Sequence, residues 1–150
     1  MTRQWQLMRD AQTFLDASKL ANDALIGIHF TEIARQEDQP VSKEHMEKIT
    51  QGIKLLDTML QTLEARERQE AISPEAVSVL YVLSQGRKVT SQSILKKMLK
   101  DSIKELQDFK KGKTDEPEEA EDFLEIIANS TSEEASKATS RVHIFMAEAR

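Results

Sequence analysis

The side chains best suited to chemistry in this sequence are three histidines, His29, His45 and His143, which stand far apart along the chain. An imidazole can bind a metal ion or act as a general acid or base. Di-iron helical bundles place a glutamate three residues before a histidine, and zinc proteases use a His-Glu-x-x-His motif. Neither pattern occurs here. His29 stands among apolar neighbours, so we expect it to be a partly buried core histidine and not a metal ligand.

Other catalytic patterns are also missing from the sequence. The chain has no cysteine, which excludes disulfides, thiolate metal sites and cysteine nucleophiles. It has no Gly-x-Ser-x-Gly motif, and its four glycines are isolated, so no glycine-rich phosphate loop can form. The acidic residues crowd predicted helix starts and a linker, where water surrounds them. The sequence therefore predicts a protein that is not an enzyme and that carries no cofactor and no metal ion.

The basic residues offer a second kind of chemistry, the binding of phosphates. Residues 73–113 hold nine lysines and arginines against four acidic residues, whereas residues 114–150 hold three against ten. The two segments can lie side by side and cancel each other's charge, which we favour, or one of them can face a charged partner. In the second case, the candidate nucleic-acid contacts within 87–113 are Arg87, Lys88, Lys96, Lys97, Lys100 and Lys104.

Part of this basic region resembles known helical domains. Leu80-Tyr81-Val82-Leu83, followed by Val89-Thr90 and Ile94-Leu95, resembles the opening of a winged helix-turn-helix domain. No second turn follows Leu99, and the acidic segment after Gly112 would repel phosphates. The same region resembles the helical N-terminal domain of transcription elongation factor S-II, but Lys100-Asp101 replaces that family's Ile-Gly pair. We assign the chain to neither family, and a nucleic-acid-associated or transcription-related role stays an alternative.

The elements that carry these residues are helices. Glycine and proline are scarce, and 39% of the residues are hydrophobic with few aromatic ones, a composition typical of all-α proteins. The clearest pattern is an apolar seam with alternating steps of three and four, which predicts a helix packed along others. Its members are Met46, Ile49, Ile53, Leu56, Leu60 and Leu63.

A long first helix precedes the seam. It is expected over about 3–36 and ends before Pro40, because a proline disfavours helical geometry in the residue before it. Beyond Leu20 its apolar face widens to include Ile26 and Phe30, as expected for a helix covered on more than one side. Ser42 is a natural N-cap for the second helix. The two helices predict a long antiparallel helical hairpin over residues 1–72.

Shorter helices are expected to complete the bundle over residues 73–150. The third begins at Ser73-Pro74 and runs to about Gln85, and the fourth follows Thr90 and ends at Gly112. A fifth begins at Pro117. Two capping boxes over 129–134 favour a break there and a sixth helix. The sequence therefore predicts a single all-α domain, an up-and-down bundle of five or six helices.

The function that we expect from these features is protein–protein contact. Long helices with apolar faces and no chemical motif favour a non-enzymatic interaction or adaptor protein that binds a copy of itself or another helical protein. Candidate interface residues are Trp5, Arg9 and Tyr81, by their enrichment in binding hot spots, and Ala135 and Ala138, by their small size. A bundle that binds a small ligand or a metal is a further alternative.

The cellular setting is expected from composition alone. No apolar run is longer than the five residues of Ala24–Ile28, far shorter than a bilayer span, and the N-terminus lacks the apolar core of a signal peptide. The absence of cysteine suits a reducing compartment. We therefore expect a cytoplasmic protein without a transmembrane segment.

Overall fold

The computed structural model describes residues 3–68 and 92–148 of the chain. These ranges contain four α-helices and no strand, which confirms the all-α prediction. We number the helices in chain order: α1 (Arg3–Gln36), α2 (Lys43–Glu67), α3 (Gln92–Lys110) and α4 (Glu118–Glu148).

The turn between α1 and α2 is fixed by local hydrogen bonds. Asp38 adopts a left-handed conformation (φ 55°), and the Gln39 amide donates back to the Ala34 carbonyl at 2.7 Å. This arrangement is a Schellman motif, which satisfies the last carbonyls of a helix. The Ser42 hydroxyl then accepts from the Glu44 amide at 3.2 Å, which confirms Ser42 as the N-cap of α2.

The end of α3 has the same geometry. Gly112 has φ 77°, and the Lys113 amide donates to the Asp108 carbonyl at 2.8 Å, so the predicted stop at Gly112 is confirmed. Pro117 is buried and immediately precedes α4, and the Glu105 carboxylate of α3 accepts from the Ala120 amide at 3.1 Å. This bond satisfies one of the amides that a helix start leaves without an internal partner.

The four helices pack as a ring in which each makes its main contacts with two neighbours, in the order α1, α2, α3, α4 and back to α1. Neighbouring helices run antiparallel. Lys96 near the start of α3 pairs with Glu67 at the end of α2, while Lys110 at the end of α3 reaches Thr50 in the first half of α2. The interface of α1 with α4 is the most extensive and that of α3 with α4 the least. α1 and α2 lie antiparallel, as the predicted hairpin requires, but α1 packs more against α4 than against α2, so the hairpin is only one part of the ring.

Two glycines allow α1 and α2 to approach closely. A Cβ atom on Gly27 would lie 2.5 Å from the His45 carbonyl oxygen, and one on Gly52 would lie 2.6 Å from the Cβ of Ala24. Both distances are shorter than van der Waals contact. Each helix thus contributes one glycine at the point where its main chain meets the other helix.

The core of the bundle is built on the predicted seam. Ile49, Leu56 and Leu63 are fully or almost fully buried, and the alternate seam residues Met46, Ile53 and Leu60 lie partly buried along its edge. The largest buried side chains on the other helices are Ile28, Leu99, Leu106, Phe109, Phe123 and Leu124. The seam therefore faces the core, as its spacing predicts.

The predicted break over residues 129–134 is wrong, because α4 continues through it to Glu148. The Thr131 side chain is fully buried, and its hydroxyl donates to the Ile127 carbonyl one turn back in the same helix. It therefore cannot cap a new helix. Lys137 forms ion pairs with Glu133 and Glu134, which adds support along the same stretch.

The third predicted helix, over about 74–85, lies outside the described residues. The expected total of five or six helices thus stays a prediction, and the described part of the chain supplies four. None of the helices in 3–68 and 92–148 has both the length and the apolar character needed to cross a lipid bilayer.

Candidate interaction surfaces

An apolar stripe lies on the outer side of α1. Leu15 is 50% exposed, Ile26 41% and Phe30 46%. At 100° per residue these positions fall within a sector of about 60°. The expectation that Ile26 and Phe30 are covered on a further side is therefore wrong within the described bundle, because α2 and α4 cover only part of the wide apolar face of α1. We call Leu15, Ile26 and Phe30 the α1 stripe.

Two histidines flank the end of this stripe. The Phe30 ring stacks on the His45 ring of α2 with centroids 4.8 Å apart, and His29 meets Phe30 edge-on at 5.5 Å. His29 is exposed, so the prediction that it is partly buried is wrong, whereas His45 is partly buried. In the described ranges no three His, Asp or Glu side chains converge as a metal site would require. This aromatic cluster is therefore a feature of the surface.

A groove of about 380 Å³ lies between α2 and α3. Its floor is apolar, with Met46 and Ile53 from α2. Three lysines surround it: Lys54 from α2, and Lys110 and Lys111 from the end of α3 and the following turn. Thr50 and Gln107 complete its lining, which contains no carboxylate. We call this feature the α2–α3 groove.

One lysine of the groove is held in place by neutral groups. The Lys110 ammonium donates to the Thr50 hydroxyl at 2.7 Å, and that hydroxyl donates to the Met46 carbonyl at 3.1 Å. The Lys110 carbonyl accepts from the Arg35 guanidinium at 3.4 Å. The Lys110 ammonium is therefore oriented toward the groove by a hydroxyl and not by a carboxylate.

The lysines predicted to contact nucleic acid do not share one environment. Lys96 forms an ion pair with Glu67 of α2 at 3.1 Å, whereas Lys97, Lys100 and Lys104 are exposed along α3. Arg87 and Lys88 lie outside the described residues. The helices that carry the basic and acidic segments, α3 and α4, are neighbours in the ring. The ion pair of Lys96 is made to α2, so the favoured expectation that the two segments cancel each other's charge stays a prediction.

An acidic pocket of about 370 Å³ lies at the end of α1. Glu32, Arg35 and Gln36 line it from α1, and Asp115 and Glu116 line it from the α3–α4 turn. The Arg35 guanidinium stacks on the Phe109 ring, 4.6 Å from its centroid. One of its terminal nitrogens, Nη1, is buried without a hydrogen-bond partner. Arg35 thus joins α1 to the end of α3 chiefly through a cation–π contact.

Next to this pocket, Glu121 at the start of α4 is a carboxyl group with altered acidity. Burial raises the pKa of Glu121 to about 7, and a hydrogen bond with Glu32 and repulsion from Glu32, Asp122 and Glu116 add to the rise. A perturbed carboxyl group in a cleft is a typical feature of acid–base sites. Here the side chains that line the pocket are mostly further carboxylates. The arrangement therefore places carboxylates that repel one another on α1 and at the start of α4.

The structure describes only some of the candidate interface residues in full. Ala135 and Ala138 are buried inside the bundle, so their small side chains serve packing within the chain. Trp5 and Arg9 belong to the first turns of α1. Tyr81 lies outside the described residues. A common surface formed by these residues therefore stays a prediction.

Sequence reasoning missed the α2–α3 groove, although a signal for it was present. Met46 and Ile53 are seven residues apart at the edge of the seam, where a helix shows the same face again after two turns. Lys54 directly follows Ile53, and Lys110 and Lys111 stand at the end of α3. Which helix lies beside this edge cannot be read from periodicity, so the groove becomes visible only once α3 is placed.

No protein-family model, no curated protein sequence and no solved structure matches this chain.

Proposed function

We propose that the protein is a non-enzymatic interaction protein that associates with a second copy of itself through the α1 stripe. The observation that carries this proposal is the grouping of exposed apolar residues. Of the four large hydrophobic residues that are exposed in the described ranges, three form the stripe, and Ile94 on α3 is the fourth. Single exposed apolar residues are normal, but an aligned set on one helix marks a contact surface.

A second copy is the occupant that fits the stripe best. Leu15 and Phe30 lie about 22 Å apart along α1, at 1.5 Å per residue. If a second α1 runs antiparallel about a two-fold axis between Asn22 and Asp23, Leu15 meets Phe30 of the other copy at both ends. Lys19 then lies within one turn of Asp23 of the other copy, so the charges between the apolar ends are also complementary. Self-complementarity of this kind is the requirement of a two-fold interface.

The solution mass tests this proposal. Light scattering coupled to size exclusion should give twice the chain mass, with a concentration-dependent return to the monomer. Phe30→Ser should give a monomer. Ile94→Ser is the matched control, because Ile94 is 53% exposed but lies on α3 away from the stripe, and it should leave the dimer intact. A native protein that stays monomeric at every concentration would refute the proposal, as would equal effects of the two variants.

The absence of cysteine allows a sharper test of the geometry. A cysteine at Asn22, beside the expected axis, should form a disulfide-linked dimer under mild oxidation. A cysteine at Ser132, which is exposed on α4, is the control and should link much more slowly. Faster linking through position 132 would move the interface away from α1 and contradict the proposed packing.

The two alternative functions have less support. Nucleic-acid binding through 87–113 keeps the exposed Lys97, Lys100 and Lys104, but Lys96 is already paired with Glu67, and the formal net charge of −5 opposes a polyanion. A site for a metal or a catalytic ligand would draw on the acidic pocket. That pocket is lined by carboxylates, an arginine and a glutamine, and no three His, Asp or Glu side chains of the described residues converge as a metal site requires.

A further inference from the structure

The α2–α3 groove combines two properties that point to a particular kind of ligand. Its floor, formed by Met46 and Ile53, is apolar, and three lysine ammonium groups surround that floor without a carboxylate in the lining. Apolar surface favours an apolar partner, and unmatched positive charge favours an anionic one. A ligand that satisfies both has apolar side chains flanked by carboxylates.

The hydrogen bonds of the groove show that part of this charge is positioned in advance. The Lys110 ammonium is held at 2.7 Å from the Thr50 hydroxyl, a neutral acceptor that leaves its positive charge uncompensated. A lysine side chain has many rotamers, and this hydrogen bond already restricts that of Lys110. Less side-chain entropy is therefore lost when a ligand binds. Lys54 and Lys111 are exposed at the rim and can meet carboxylates there.

The spacing of the floor matches a helix. Met46 and Ile53 are seven residues apart on α2, about 10 Å along its axis. Two apolar residues at i and i+7 of a partner helix have the same separation, which is the usual arrangement of anchors in helix-in-groove recognition.

We propose that the α2–α3 groove binds an acidic amphipathic helix of a partner protein, with apolar anchors on Met46 and Ile53 and carboxylates at Lys54, Lys110 and Lys111. A nucleic acid fits less well, because its phosphate backbone offers no apolar side chains for the floor formed by Met46 and Ile53. An anionic membrane surface fits less well, because the floor is recessed between two helices. The proposal concerns a surface separate from the α1 stripe and does not depend on self-association.

Fluorescence anisotropy with a synthetic peptide tests this inference. The probe is a labelled 16-residue peptide that carries leucines at i, i+3, i+7 and i+10 and glutamates on the flanking positions. We expect saturable binding that Lys111→Glu weakens by about tenfold or more, since a rim lysine becomes a like charge. Lys54→Glu, an exposed substitution on the other wall, should weaken binding similarly.

The matched control is Lys97→Glu, which makes the same change of charge on α3 about 20 Å from Lys111 along the helix. It should change the affinity by less than about twofold, because salt largely screens a charge at this distance from the groove. A scrambled peptide of the same composition, in which the apolar stripe is lost, should bind much more weakly. Amide chemical-shift changes on binding should include Met46, Ile53 and Gln107.

Several results would overturn the inference. They are no binding of the amphipathic peptide up to millimolar concentration, equal binding of the scrambled peptide, or equal losses from Lys97→Glu and Lys111→Glu. Tighter Lys111-dependent binding of a DNA duplex or of phosphatidylserine vesicles would assign the groove to those ligands instead. Repeating the titration with Phe30→Ser separates the two proposals, because a monomer that still binds the peptide supports the groove whatever the fate of the α1 stripe.

Discussion

Replacing Gly52 by alanine tests the close approach of α1 and α2 on which the bundle depends. The new methyl carbon would lie 2.6 Å from the Cβ of Ala24, with no other atom closer than 3.9 Å. Two methyl carbons normally rest about 3.5–4.0 Å apart. The conflict therefore involves one pair of methyl groups, and moving the methyl group from one helix to the other removes it.

The expected energies follow from this geometry. Alanine is favoured over glycine in a helix by about 1 kcal/mol, while an overpacked core position costs about 1–3 kcal/mol. Gly52→Ala should therefore lower the free energy of unfolding by up to about 2 kcal/mol, despite its better helix propensity. Ala24→Gly should cost about 1–2 kcal/mol through lost propensity and a lost buried methyl group. The double variant should return close to the native stability, since both costs are offset.

Urea unfolding followed by far-ultraviolet circular dichroism measures the four members of this cycle, at one fixed protein concentration because self-association shifts stability. The coupling energy should favour the double variant by about 1–3 kcal/mol. Gly27→Ala provides a contrast, since its methyl group would meet the main-chain oxygen of His45 at 2.5 Å, which no side-chain truncation can relieve. Additive effects at 24 and 52, or a Gly52→Ala variant stabilised by the full propensity gain, would refute the close approach.

Three further predictions address the core, the acidic end and the buried hydroxyls. Leu56→Ala should cost about 2–5 kcal/mol in urea unfolding, because Leu56 is fully buried, whereas Ile94→Ala at an exposed position should stay within about 0.5 kcal/mol. Because the pKa of Glu121 is raised from 4.5 to about 7, the folded state binds more protons than the unfolded chain between these values, and stability falls as pH rises through this window. Glu121→Gln should remove that part of the fall and raise the melting temperature relative to the native protein at pH 8 but not at pH 4, and a constant difference across this range would contradict the raised pKa. Ser102→Ala should be neutral or stabilising, because its buried hydroxyl has no partner, while Ser18→Ala should cost about 1 kcal/mol with the loss of its bond to α4, and the reverse order in melting temperature would contradict both assignments.

The helix ends could be predicted well because each has a local cause. Ser42 caps α2 through a hydrogen bond to an amide two residues away, and Gly112 ends α3 because it adopts a positive φ that other residues avoid. Such interactions join residues that are a few positions apart, so the local sequence is enough to predict them. The buried half of the seam could be predicted for a similar reason, since periodicity alone fixes which side of a helix is apolar.

The wrong predictions concern local patterns that are compatible with two structures. Packing against a part of the chain that is distant in sequence determines which structure forms. Thr131 can cap a helix or donate to a carbonyl of its own helix, and burial of its side chain within α4 selects the second. His29 stands among apolar residues in the sequence, but it lies on the sector of α1 that neither α2 nor α4 covers. Both outcomes depend on which helix is adjacent, and this information is spread over the whole chain.

The candidate surfaces are difficult to recognise from sequence because they too depend on which helices are adjacent. A helix in a four-membered ring is covered by two neighbours, so an apolar face wider than those neighbours can cover leaves part of itself in water. On α1 the uncovered part of the apolar face is the α1 stripe, whose residues are of the same types as those of the core. On α2 the uncovered part is the edge formed by Met46 and Ile53, and this edge forms a groove together with α3 and its lysines. The core and the contact surface are therefore parts of the same apolar face. The part that a neighbouring helix covers is core, and the part that extends beyond that helix is contact surface. A substitution that disrupts partner binding without changing the melting temperature identifies the part that is contact surface.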